Sequence, residues 1–309
     1  MKTCVVIYNP NSGKNVKKDF LAAYLDILMD NNYSPEVIIS KYKGHITEIV
    51  SKLRPVDLVI SLGGDGTFNE AMTGNFLRKE MLLLAHIPLG TTNDVGAMFG
   101  YGKDPIANLN LLMNGEIRKM DVCCVNGKPF VYVAGFGKFM NVPYETSREL
   151  KKKIGYLAYL VEGAKEFVNP TKLYDLSYEI DGEIYNGLYS FMIISNANRI
   201  AGINNFYNDV KLDDGKFEVL LCNLTRKKDV IKTLYYLSKN DITKVPGFYF
   251  HKTNNLKITF KKKTTHWCVD GEELDDDINE YNITVKPGVK VMMPSKNVKV
   301  LFEKKISNH

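Results

Sequence analysis

The chain has no run approaching the ~18 consecutive apolar residues that a membrane-spanning helix requires. Its start, Met1 to Val6, enters a short apolar segment without a cleavable signal pattern. Both absences argue against a spanning or exported protein, so a soluble cytoplasmic one is expected. Cysteine is scarce: Cys4, Cys123, Cys124, Cys222 and Cys268 are odd in number and lack metal-ligand or redox-pair spacing. They read as reduced, structural thiols. Also missing are the Gly-x4-Gly-Lys-Ser/Thr loop, the dinucleotide Gly-x-Gly-x-x-Gly and the protein-kinase catalytic loop, which excludes the common ATPase and dehydrogenase classes. An excess of one charge is nearly absent. Lys and Arg number 41 against 35 Asp and Glu, a net +6, too little to argue for nucleic acid but of the sign that favours anionic lipid. The lysine clusters at Lys14, Lys17 and Lys18, at Lys151 to Lys153 and at Lys261 to Lys263 read first as solvated faces. No internal repeat or low-complexity tract occurs.

What is present divides the 309 residues in two. Up to about residue 125, strand-like runs alternate with helical patterns, the signature of a mostly parallel sheet wrapped by helices. Cys4 to Tyr8 reads as a buried strand, Val16 to Asp30 as a helix, and Val37 to Ile39, Leu58 to Leu62 and Leu82 to Ile87 as further strands. From Lys128 onward β character dominates, with Leu173 to Ile180 and Ile184 to Ser195 forming a hairpin about Asp181-Gly182. One helical stretch, about Ser147 to Phe167, interrupts it and reads as a packing helix. The expected domains are 1–125, α/β and nucleotide-binding; 126–294, β-rich and sandwich-like; and 295–309, a C-terminal segment returning to the first.

The chemistry lies at the ends of strands. Asn9-Pro10-Asn11-Ser12-Gly13-Lys14 follows the first, Gly63-Gly64-Asp65-Gly66-Thr67-Phe68-Asn69-Glu70 a later one, and Pro88-Leu89-Gly90-Thr91-Thr92-Asn93-Asp94 the next. Open α/β sheets bind ligands outside the carboxyl ends of their strands. Three glycines in four residues let backbone N–H groups approach a polyphosphate, and a helix N-terminus behind them adds partial positive charge. Asp65 among phosphate-facing amides would repel the ligand unless a cation lies between, which implies Mg²⁺. Two later segments read as turns. Lys211-Leu212-Asp213-Asp214-Gly215-Lys216 carries Asp-Asp-Gly, which is strong turn chemistry. Val269-Asp270-Gly271-Glu272 reads by itself as a hairpin turn.

These five segments, in this order, resemble the soluble bacterial diacylglycerol kinase family, which shares its catalytic core with sphingosine and ceramide kinases and its nucleotide domain with NAD kinases. The resemblance covers nearly the whole chain. It implies an active site in a cleft between the two domains, and Mg²⁺-dependent transfer of the γ-phosphate of ATP to the primary hydroxyl of diacylglycerol. It further implies ATP contacts at Asn9, Pro10, Asn11, Ser12, Gly13, Ser40, Gly64, Asp65, Gly66, Thr67, Phe68, Asn69, Glu70 and Thr91, Ser40 standing where the family usually has Thr. Asp65, Asp94 and Asp121 match its acidic network about Mg²⁺, although without the resemblance Asp121 reads first as a strand-end surface residue. Lys211, Asp214 and Lys216 match a second, structural metal site, and Glu272 matches the general base. The implied partner is a lipid at the inner membrane surface, met peripherally, and a homodimer is compatible with the family. Where many relatives follow Asn-Asp with a nearby Arg, this chain has Val95-Gly96-Ala97-Met98.

Two other readings are weighed. A kinase of a different acceptor, whether a sphingosine- or monoacylglycerol-like lipid or soluble NAD, would share the Gly-Gly-Asp-Gly loop, with Glu272 arguing against NAD. A non-catalytic nucleotide- or lipid-binding regulator would share the fold, and the set Asp65, Asp94 and Glu272 argues against it. The apolar richness of Phe130 to Phe139, Tyr156 to Tyr159 and Phe191 to Ile194 suits a lipid cleft and ordinary core equally.

Overall fold

The computed structural model describes residues 1–12, 20–90, 92–137, 172–200, 203–204, 207, 209–223, 247–262, 267–274 and 278–303. Two compact units form. Unit 1 is Met1–Val122 with Lys211–Asp214 and Lys286–His309, and unit 2 is Cys123–Val210 with Gly215–Val285. Strands β5 (Glu116–Val125) and β18 (Glu280–Met293) each run across the division.

Unit 1 alternates β1 (Lys2–Tyr8), α1 (Phe20–Asp30), β2 (Tyr33–Ile39), α2 (His45–Lys52), β3 (Leu58–Gly63), α3 (Asp65–Phe76), β4 (Leu84–Pro88), α4 (Asp94–Phe99) and α5 (Pro105–Met113). Its sheet runs β2-β1-β3-β4 and then the end of β18, with every pair parallel. Because helices flank such a sheet, its strands read as unbroken apolar runs, and every residue of β3 and β4 is buried. Start signals are local in α5, where Asp104 accepts from the Ile106 N–H at 2.9 Å and Pro105 occupies the first helical position.

A histidine lies deep in this core. His86, on β4, faces Ser61 across the β3–β4 pair with its Nδ1 3.0 Å from the Ser61 Oγ, and its ring stacks on Phe68 at 5.1 Å. Burial pushes its pKa down from 6.5 to about 3. The folded protein therefore holds this ring neutral where the unfolded chain would protonate it. The stability so maintained is complete above pH 6.5 and is lost as pH falls from there toward about 3. Melting curves from pH 7 to pH 4 should show His86→Gln losing a slope of up to about 1.4 kcal/mol per pH unit that the parent retains. Parallel curves for the two proteins would show that the ring does not titrate in this way.

Unit 2 is a sandwich of two sheets. One runs β14 (Phe248–Thr253), β13 (Phe217–Cys222), β10 (Phe191–Ser195), β7 (Val133–Gly137), β16 (Trp267–Val269) and β17 (Glu272–Leu274). The other joins the first part of β18 to β15 (Asn255–Phe260), β8 (Tyr174–Ile180) and β9 (Glu183–Tyr189), with the end of β5 pairing β6 (Lys128–Phe130). A two-stranded ribbon, β11 (Arg199–Ile200) and β12 (Ile203–Asn204), stands apart. Between the sheets Trp267 stacks on Tyr281 at 4.4 Å and Phe136 meets Phe260 edge-on at 4.8 Å. Each fully buried ring of this kind contributes roughly 2–3 kcal/mol of transfer free energy.

The hairpin expected at Asp181-Gly182 is present, with φ of 53° and 83° at the two turn residues. Its second strand is shorter than Ile184 to Ser195. The chain breaks at Ser190, whose N–H and hydroxyl both donate to the Cys222 carbonyl, and Phe191 to Ser195 then enter the other sheet. Alternation continues across such a corner, so periodicity cannot locate it. The expected helix from Ser147 to Phe167 lies outside the described residues. Among those residues no helix is long and apolar enough to cross a membrane. All five cysteines are buried and outside any disulfide, and burial pushes the Cys4 thiol pKa up to about 12.

Candidate active site

Three loops of unit 1 meet at the carboxyl ends of β1, β3 and β4. The first turns on Asn9. Its N–H donates to the Leu62 carbonyl, its Oδ1 accepts from the Asn11 N–H at 3.0 Å, and its Nδ2 donates to the Thr67 Oγ1 at 3.1 Å. Ser12 closes the turn by donating its hydroxyl to the Asn9 carbonyl at 2.7 Å. Asn9 and Ser12 are half-buried, while Pro10 and Asn11 are exposed. Ser40 is buried one strand away, its N–H donating to the Tyr8 carbonyl at 2.9 Å. Gly13 and Thr91 lie outside the described residues.

The second and third loops touch through glycine. A Cβ on Gly90 would stand 2.8 Å from the Gly64 Cα and 2.7 Å from the Asn93 Oδ1, so any side chain there would drive the loops apart. Gly63 is equally constrained, since a Cβ would enter the Thr67 side chain. Asp65, the first residue of α3, joins the two loops: its Oδ2 accepts from the Asp94 N–H at 2.8 Å and its Oδ1 from the Val95 N–H at 3.2 Å. One carboxylate thus caps α4 while standing on the first turn of α3. Gly64, Gly66 and Asn69 are half-buried and Thr67 is buried.

Two residues of this motif have structural work for their side chains. Phe68 is fully buried between His86 and Phe99, which leaves its backbone for any ligand contact. Glu70 accepts from the Ile46 N–H at 3.2 Å and so caps α2. A sequence motif does not separate residues that touch a ligand from those that hold the loop in shape.

Asp94 and Asp121 are both buried in unit 1. The Asp121 N–H donates to the Leu212 carbonyl at 2.6 Å, the Leu212 N–H to the Leu301 carbonyl at 2.7 Å, and the Glu303 N–H to the Asp213 Oδ1 at 2.8 Å. The Lys211 ammonium donates to the Val300 carbonyl at 2.8 Å. The segment Lys211–Asp214 therefore belongs to unit 1 beside Asp121, a juxtaposition that sequence separation conceals. Asp213 is buried and Asp214 half-exposed; Gly215 has φ 75°, and Lys216, exposed, belongs to unit 2.

A hard cation is chemically compatible with unit 1. Among the described residues no three of His, Cys, Asp and Glu gather as a ready ligand set. The buried Asn93 Oδ1, however, lacks a hydrogen-bond partner, and its backbone is held in the left-handed region at φ 51°. Carboxylates, amide oxygens and backbone carbonyls are the donors near it. Such a set suits Mg²⁺ with retained waters better than a transition metal.

Glu272 stands on unit 2, exposed, opposite Val269 across β16 and β17. The turn before it has φ of 49° at Asp270 and 83° at Gly271, the two-residue form that matches strand twist. Asp270 is buried, and its carboxylate accepts from three successive amides, Val131 at 2.5 Å, Tyr132 at 3.0 Å and Val133 at 3.0 Å. Its own N–H donates to the Val133 carbonyl at 2.7 Å. The backbone that carries Glu272 is thereby pinned, and the residue itself is exposed. In the sequence Asp270 reads as turn chemistry alone, and no local pattern announces such a clamp.

Residues 3–125 match the family described as the diacylglycerol kinase catalytic domain. A diacylglycerol kinase of Bacillus subtilis (strain 168) is 28% identical over 266 residues, covering 85% of this chain and 88% of that protein. One from Staphylococcus epidermidis (strain ATCC 12228 / FDA PCI 1200) is 29% identical over 260 residues, 84% of this chain and 82% of that protein. The fold is shared with a crystal structure of a diacylglycerol kinase from Bacillus anthracis str. Sterne, at TM-score 0.72 and 22% identity over 94% of this chain and 96% of that one. A further crystal structure from that organism superposes with a TM-score of 0.78 at the same identity and coverage.

Proposed function

We propose, from the match of residues 3–125 to the diacylglycerol kinase catalytic domain, that the chain is a lipid kinase of that family and transfers the γ-phosphoryl group of ATP to the primary hydroxyl of diacylglycerol, giving phosphatidic acid. The observation that carries this reading is the meeting of the Gly64 and Gly90 loops on the first turn of α3, with Asp65 tying them together. Backbone amides at that turn and in the Asn9 to Gly13 loop cradle the polyphosphate. Ser40, Gly64 to Glu70 and Thr91 complete the nucleotide site.

Mg²⁺, when bound, neutralises charge that the transferring group spreads over its oxygens. Asp94 and Asp121 would hold it with Asp65, partly through water. Asp214, with the carbonyls of Lys211 and Lys216, would hold a second, structural cation. The acceptor oxygen bonds to the γ-phosphorus as the bond to the bridging oxygen breaks and ADP leaves, and the hydroxyl proton passes to Glu272. The lipid is met at the inner membrane surface from the cytoplasmic side, where the net charge of +6 favours anionic headgroups.

The test is incubation of purified protein with labelled ATP, Mg²⁺ and mixed micelles of diacylglycerol, sphingosine, ceramide or monoacylglycerol, with NAD as a soluble control. Labelled phosphatidic acid is the expected product. Label on another lipid would keep the chemistry and change the acceptor. Label on NAD, or ATP binding without any product, would overturn the proposal.

A further inference from the structure

The loop after β2 has no part in the chemistry above beyond Ser40, yet it carries Tyr42, which at 55% has the most exposed aromatic ring among the described residues. An exposed ring is ordinarily loose, and this one is held at both ends. It stacks on His45 with centroids 4.7 Å apart and planes 30° from parallel, and its hydroxyl donates to the Glu48 Oε2 at 3.1 Å. His45 is fixed in turn, its Nδ1 accepting from the Lys41 N–H at 3.1 Å, so the neutral ring carries its proton on Nε2. Gly44, at φ 88°, makes the reversal that brings the two rings together. The Glu70 carboxylate, accepting from the Ile46 N–H, then binds the whole loop to α3, the helix of the phosphate cradle.

Position gives this shelf a use. β2 is the outermost strand of unit 1, and the order inward is β1 and then β3. Neighbouring strands are about 4.8 Å apart, so the β2 loop lies roughly two spacings from Gly64, about 10 Å. A ribose and its phosphates span that distance. The way between is lined by Asn9 and by Ser40, whose N–H is bonded at the level of Tyr8. Away from β2, on the β4 side, lie the buried carboxylates of Asp94 and Asp121, which suit a cation and the reacting end. A nucleotide with its terminal phosphate toward those acids places its base over the β2 loop.

We infer that Tyr42, braced by His45 and Glu48, is the shelf on which the purine of the nucleotide stacks. The inference rests on the reading of the chain as an ATP-dependent kinase. One face of the tyrosine ring is taken by His45, and the residue is still more than half exposed, which leaves ring surface for the base; Ile39, at the end of β2, is exposed as well. Stacking reads the π face and not the base edge, so the shelf supplies affinity for purine nucleotides in general.

Calorimetry on the full chain with ATP and with inorganic tripolyphosphate separates the base from the phosphates. Tyr42→Ala should weaken ATP about 5- to 100-fold, the range of one lost base–aromatic stack, and raise KM for ATP alike. It should leave kcat within about twofold and tripolyphosphate affinity unchanged. Tyr42→Phe, which keeps the ring and drops the Glu48 tether, should retain most of the affinity. ATP affinity of Tyr42→Ala within twofold of the parent, or an equal loss for tripolyphosphate, would overturn the shelf while lipid phosphorylation by the parent upheld the kinase reading. A parent protein that neither bound ATP nor turned over would remove both.

Discussion

Glu272→Gln should lower kcat for lipid phosphorylation by about 10²- to 10⁴-fold, the usual contribution of a positioned general base, with ATP affinity and melting temperature unchanged. The pairing of these outcomes follows from the site. Glu272 is exposed at the first position of β17, so replacing its carboxylate by an amide of the same shape removes no packing. Nucleotide affinity is expected to hold because the proposed ATP contacts are on unit 1. Turnover within tenfold of the parent would remove Glu272 as the proton acceptor and leave alignment and charge neutralisation as the whole of catalysis. Loss of ATP binding together with turnover would instead make Glu272 a binding residue.

Asp270→Asn, two residues earlier, should fail differently. The carboxylate accepts from the Val131, Tyr132 and Val133 amides, and bonds to an ionised acceptor are worth about twice those to a neutral one. An Asn oxygen can serve fewer of them, and its amide N–H₂ is brought against buried donors. A loss of about 2–4 kcal/mol in the stability of unit 2 is expected, seen as a melting temperature lower by roughly 5–15 °C. Turnover should fall with it, since the turn that holds Glu272 loses its anchor. A variant that melts like the parent would show that the clamp is dispensable. Measured side by side, the two substitutions separate a group that takes a proton from one that only holds a turn.

The division of labour in Val269-Asp270-Gly271-Glu272 also marks the limit of what sequence makes legible. Asp-Gly as a two-residue turn is readable because only certain residues tolerate positive φ in succession. That the same aspartate reaches back to three amides nearly 140 positions earlier is not, because nothing local records a long-range partner. The α/β half was readable for a related reason: strands covered on both faces, such as β3 and β4, must be apolar throughout, and their loops must carry the polar residues. The β half was readable only between corners. Ser190 divides one apparent strand into members of two sheets through hydrogen bonds to Cys222, with no change in alternation. Asp65 stands out in the sequence as a carboxylate among glycines, and its part in capping α4 appears only when β3 and β4 are side by side. Tyr42 escaped notice because a lone aromatic in a basic loop carries no motif.

The place of β18 in unit 1 bears on how the protein is made. β4 needs Val291 and Met292 along its open edge, and these are synthesised about 200 residues after β4 itself. At ~5–20 residues per second, that edge waits on the order of ten seconds or more. During that interval a strand whose five residues are all destined for burial offers its backbone to any neighbouring chain. Yield in the cell should accordingly depend on chaperones able to shield nascent β4, and a truncation that removes the end of β18 would leave unit 1 permanently in that sticky, half-built condition.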